Sequence, residues 1–161
     1  MNMNEFKPLL IEQLTDAYCI ENESKNIIPK LKDAAIDDCL KSTLEAQLIT
    51  TQSNIEQLKK VSEAVDINVE SSDCNTLRVV VSRAEKYLNE GPVNDAGILS
   101  HFERINQYKT AIYSSAVRFA KELNHNTLYK ELQAITNYSY NMIDRLGRVN
   151  NDQSDERAIN N

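Results

Sequence analysis

The chain has 161 residues, enough for one domain with a real core. Only three Gly and three Pro interrupt it, which favours long helices over a sheet-rich fold. With 18 basic against 24 acidic side chains the net charge is −6. No basic stripe with interleaved aromatics is present, so nucleic-acid binding is not expected, and no apolar run of about 20 residues suggests a membrane span.

The first helix is predicted from about Asn4 to Ala35. Leu10, Leu14, Ala17, Glu21, Ser24, Ile28 and Leu31 recur at helical steps of three and four. Pro8 fits the first turns, whereas Pro29 predicts a kink or break just before it. A second helix, about Asp37 to Asp66, carries Leu40, Leu44, Gln47, Thr51, Asn54, Leu58, Val61 and Val65 on one face. The polar stretch 67–73 reads as a loop. A shorter helix, Cys74 to Asn89, ends at Gly91 and Pro92. Asp95 is a plausible cap for the next helix, about Ala96 to Leu123, whose face reads Ile98, Phe102, Ile105, Lys109, Ile112, Ala116, Phe119 and Leu123. After a turn at 124–127, a last helix from Leu128 to Arg148 presents Leu128, Leu132, Ile135, Ser139, Met142 and Leu146. Residues 1–148 thus form one helical bundle, and 149–161, with almost nothing to bury, are expected to be a disordered tail.

Short links join helix one to two and the last two helices, so each pair forms an antiparallel hairpin. The long link between the pairs contains the short helix. Two hairpins joined by one long crossover make the ferritin-like four-helix arrangement, an all-α fold.

Each of the four stripes turns polar at its middle. Bundles with a polar central layer usually hold metal there, but these residues are poor ligands. Glu21 and Lys109 are each flanked by apolar neighbours one turn away, so an outward-facing position is hard to give either of them. They are expected to meet as a buried ion pair, with Gln47, Thr51, Asn54 and Ser139 supplying hydrogen bonds. Tyr18, Tyr108, Tyr113 and Tyr138 are expected to line the core, by plain packing or with their hydroxyls near polar groups, plain packing being the more ordinary role for each. Glu45, Glu56, Glu103 and Glu131 fall outside the stripes and should face solvent. They are the alternative ligand set if the register is shifted. Cys19, Cys39 and Cys74 are odd in number and widely spaced, which predicts reduced thiols in a cytoplasmic protein. The N-terminus lacks a charged-then-apolar signal. His101 is expected to cap or pack, and His125 to belong to a turn.

The sequence resembles the YciF/YciE-like bacterial family, a ferritin-like group of stress-associated proteins. Leu14, Asp16, Tyr18 and Glu21 are similar to the family's L-x-D-x-Y-x-A-E, and Pro29, Lys30 and Leu31 to its L-P-K-M. Cys74 matches the cysteine that opens the crossover helix. Asp95 to Leu99 resembles D-A-A-L-I. Tyr108, Ala111 and Tyr113 fit E-H-Y-E-I-A-A-Y, and Leu123, Asn124 and His125 the L-G-H turn. The resemblance implies a dinuclear metal site of Glu and His, and a homodimer. The ligand positions depart from that pattern. E-E-T-x-x-H stands here as Ile49, Thr50, Thr51, Gln52, Ser53 and Asn54, and E-H-Y-E as Asn106, Gln107, Tyr108 and Lys109. The last helix's paired glutamates fall at Tyr138 and Ser139. Only Glu21 remains, so Asn106 and Gln107 join the expected polar core and no metal or other cofactor is expected.

The reading that follows is a non-enzymatic, stress-related structural or interaction protein on a metal-free bundle. The alternatives are a di-metal iron or manganese oxidase or storage protein, and a bundle that binds a small molecule beside its polar layer.

Overall fold

A computed structural model describes the backbone of residues 3–159 and the side chains of residues 4–148. It contains α1 (Met3–Ala34), α2 (Asp38–Glu63), a 3-10 turn (Val69–Ser71), α3 (Asn75–Asn89), α4 (Asp95–Glu122) and α5 (Asn126–Ile159). There is no strand among the described residues. The bounds of α5 run past Arg148, but the side chains of 149–161, where a disordered tail is expected, lie outside the described residues.

The two hairpins, α1 with α2 and α4 with α5, join mainly through α1 on α4. The apolar stripes meet between them: Leu10, Leu14, Ile28 and Leu31 of α1, Leu40, Leu44 and Leu58 of α2, Phe102 and Ile105 of α4, and Leu132 and Leu146 of α5 are all buried. Each such side chain withdrawn from water contributes about 1.5–3 kcal/mol, offset by the entropy of ordering the chain. α2 and α5 touch only lightly.

Local chemistry sets the helix ends. Asp37 caps α2, its carboxylate accepting from Leu40 N at 2.8 Å. Asn94, not Asp95, caps α4 by accepting from Gly97 N at 2.9 Å. Asp95 instead reaches across to the start of α2, where its two oxygens accept from Ile36 N and Asp37 N, each at 2.8 Å. One aspartate thereby ties the first interhelical turn to the end of the crossover.

Two expectations are corrected here. Of the kink or break expected at Pro29, the break does not occur: Pro29 lies inside a continuous α1. A proline leaves the carbonyl one turn back without its helical partner; here that carbonyl belongs to Lys25, an exposed residue where water can serve instead. The thiols are not all reduced. Cys19 of α1 and Cys74, the N-cap residue of α3, form a disulfide with Cα atoms 5.2 Å apart, and only Cys39 is free. The 55-residue separation conceals the pair in the sequence; it forms because the crossover folds back along α1.

Candidate functional site: a buried ion pair at the bundle centre

The polar layer is built by three helices. On α1, Glu21 follows Leu14 and Ala17 on the inward face and is fully buried. On α4, Lys109 stands one turn from Ile105 and from Ile112 and Tyr113, and is 2% exposed. Such burial rules out a snorkelling lysine, whose ammonium would reach water. Lys109 Nζ donates to Glu21 Oε2 at 2.9 Å and to Thr51 Oγ1 at 3.3 Å. The other carboxylate oxygen, Oε1, accepts from Tyr113 Oη at 2.8 Å and from Asn54 Nδ2 at 3.1 Å. Thr51 Oγ1 also accepts from Gln47 Nε2 at 3.4 Å.

The two charges cancel, and both carboxylate oxygens are satisfied by fixed donors. Satisfaction of this kind lets a charge remain in low-dielectric surroundings. Burial first, and then the Glu21 carboxylate beside it, push the Tyr113 phenol well above its ordinary range, so it stays protonated and donates. Gln47 Oε1 and Asn106 Nδ2 are buried without a partner among the described residues.

Of the residues named from the sequence, Glu21, Gln47, Thr51, Asn54 and Lys109 are brought together by these bonds. Asn106 is buried, but Gln107 is exposed and stands outside the layer. Neighbours on a helix point about 100° apart; on α4 the buried face takes in Ile105, Asn106, Lys109 and Thr110, and Gln107 falls on the other side. Ser139 is half-buried, and among the described residues α5 donates no hydrogen bond to the cluster. Tyr108 and Tyr138 are exposed rather than core-lining, and Tyr138 Oη accepts from Thr50 Oγ1 at 3.0 Å near the surface. Tyr18 is half-buried and donates to Glu70 at 3.3 Å. For Tyr113 the sequence favoured plain packing over a hydroxyl near polar groups, and the structure places its hydroxyl on Glu21. The available signal was its place one turn beyond Lys109 on the same face.

The donor set does not suit a cation. The cluster offers one carboxylate, already held by an ammonium, a phenol and an amide, and beyond it only neutral groups. A metal ion there would meet a fixed positive charge and too few anionic ligands. Among the described residues, no three His, Cys, Asp or Glu side chains gather as a metal group. Glu45 pairs with Lys32, Glu131 accepts from Gln57, Glu56 is exposed and Glu103 is half-buried, so these four carboxylates do not converge. A surface cleft of ≈ 810 Å³ between the end of α2 and the turn into α5 is lined by Gln57, Lys60, Val61, His125 and Glu131, and contains no residue of the polar layer.

The sequence pattern of the family described as a domain of unknown function, DUF892, matches residues 5–159. The chain belongs to the DUF892 family. Two solved structures share the fold of this DUF892 protein. The Escherichia coli stress protein YciF matches with a TM-score of 0.83 at 20% identity, over 89% of this chain and 93% of that one. YcfI from Rhodopseudomonas palustris, described as a candidate structural protein, matches with a TM-score of 0.81 at 23% identity, over 91% and 94%. No curated protein sequence matches the DUF892 chain. Among its described residues no helix is long and apolar enough to cross a membrane.

Proposed function

We propose that this DUF892 protein is a non-enzymatic, stress-related structural or interaction protein whose bundle works without metal. The observation that carries this reading is the Lys109 ammonium 2.9 Å from Glu21 Oε2 in the middle of the bundle. A salt bridge there does the space-filling and charge-balancing that a metal centre would otherwise do. The stress role draws its support from YciF and the structural role from YcfI, as those proteins are described. The protein works as a homodimer in the cytoplasm on this reading.

Metal content is the test. Untagged protein is analysed as purified and after soaking with iron, zinc or manganese followed by dialysis. The expected result is no saturable binding by any of them. Near-stoichiometric, saturable binding would overturn the reading and return the protein to di-metal oxidase or storage chemistry.

A further inference from the structure

Residues 64–74 form a strap that leaves α2, passes along α1 and enters α3. Its buried apolar residues are Ile67 and Val69, with Val65 and Cys74 partly buried against the core at its two ends, while residues 70–73 are exposed. Besides a backbone bond from Ile67 N to Ser62 O at 2.9 Å, its side-chain ties lie at the surface. Lys59 pairs with Glu70 at 2.8 Å, and Tyr18 donates to the same carboxylate at 3.3 Å. Two residues that bracket the strap, Asp66 and Cys74, both have φ of 58°, a left-handed backbone that a non-glycine residue adopts at a cost. The strap is thus weakly attached and unfavourably bent at both ends, and the covalent tie to Cys19 fastens one of them.

The two sulfurs differ in access. Cys19 is 1% exposed, whereas Cys74 is half-buried at the mouth of α3. We propose that the Cys19–Cys74 disulfide is a redox-operated latch, opened by a dithiol reductant and closed by a disulfide oxidant, that controls exposure of Ile67 and Val69. A thiolate of the reductant attacks Cys74 Sγ, the accessible sulfur. The Cys74–Cys19 bond breaks, and Cys19 leaves with the electron pair and takes up a proton. The reductant's second thiolate then attacks the mixed disulfide, freeing the Cys74 thiolate, which is protonated in turn. Two electrons pass to the protein, and the reductant ends as its own disulfide. The reverse exchange with an oxidised dithiol closes the latch. With the tie open, the backbone at Cys74 can leave the left-handed region and the strap can lift, while α1, α2, α4 and α5 keep their own core.

The test uses the full chain equilibrated with reduced or oxidised dithiothreitol. Alkylation and intact mass should count one free thiol, Cys39, in the oxidised protein and three in the reduced one. Hydrogen exchange across 64–74 should quicken about ten-fold or more on reduction under conditions where the reduced bundle keeps its full helicity. A Cys19→Ser, Cys74→Ser double variant should show the faster exchange in both buffers. Three free thiols under oxidised dithiothreitol would overturn the proposal. So would equal exchange of 64–74 in the two states. Loss of the bundle's helicity on reduction would overturn it too, since the bond would then be needed for the fold itself.

Discussion

At the scale of single residues, the central pair is worth little as a pair and much as a partnership. Attraction between Glu21 and Lys109 is offset by the desolvation of both. Removing one partner leaves the other charged and stranded. Lys109→Met is therefore expected to cost about 3–5 kcal/mol, read as a fall in the denaturation midpoint, while Glu21→Gln with Lys109→Met stays within about 1 kcal/mol of the parent. An unchanged midpoint for Lys109→Met would show that the pair does not form. Tyr113 gives this site a pH signature. Its folded pKa is raised, so its contribution is complete below the unfolded value of about 10 and is lost as pH rises from there towards the folded value. Urea unfolding between pH 8 and 11 should show a steeper alkaline loss of stability in the parent than in Tyr113→Phe.

At the scale of elements, α3 and α4 meet through one aromatic side chain. Tyr87 Oη accepts from Asn94 N at 2.9 Å and lies 3.3 Å from Asn94 O, and its ring packs on His101 with centroids 4.9 Å apart. Gly97 makes room for it, since a Cβ there would fall 2.0 Å from Tyr87 Oη. Alanine would gain about 1 kcal/mol of helix propensity but would evict a ring held at both its hydroxyl and its face. Gly97→Ala should therefore lower the melting temperature, and pairing it with Tyr87→Leu should recover part of the loss. Much of this level was legible in the sequence. The four stripes fixed which face of each helix turns inward, because period alone decides that. Gln107 was misplaced because a motif match carries no rotation angle, and the buried face of α4 runs through Asn106 and Lys109 and leaves Gln107 outside. Asp95 read as a cap on its own helix because its partners, Ile36 and Asp37, come from a turn some sixty residues earlier. The Cys19–Cys74 bond was beyond reach for a like reason: it depends on the path of the crossover, which no local pattern encodes.

At the scale of the molecule, the disulfide closes a long loop around the first hairpin. Constraining a loop of this size in the unfolded chain is worth about 4 kcal/mol in the chain-entropy account. Chemical denaturation in reducing buffer should accordingly show a lower unfolding free energy by an amount of that order, and Cys19→Ser should abolish the difference between buffers. α2 and α5 belong to different hairpins and touch only lightly, while α1 and α4 carry the main contact between the two halves. The bundle is thus closed like a book, with α1 and α4 as its spine. On heating, hydrogen exchange is expected to quicken first on the facing sides of α2 and α5, before the spine yields. Water would enter from that side and reach Thr51 and Asn54 first, loosening the donors around the carboxylate while the ammonium still holds it. On that route the bond between Glu21 and Lys109, which lies on the spine itself, would be the last of the cluster to fail.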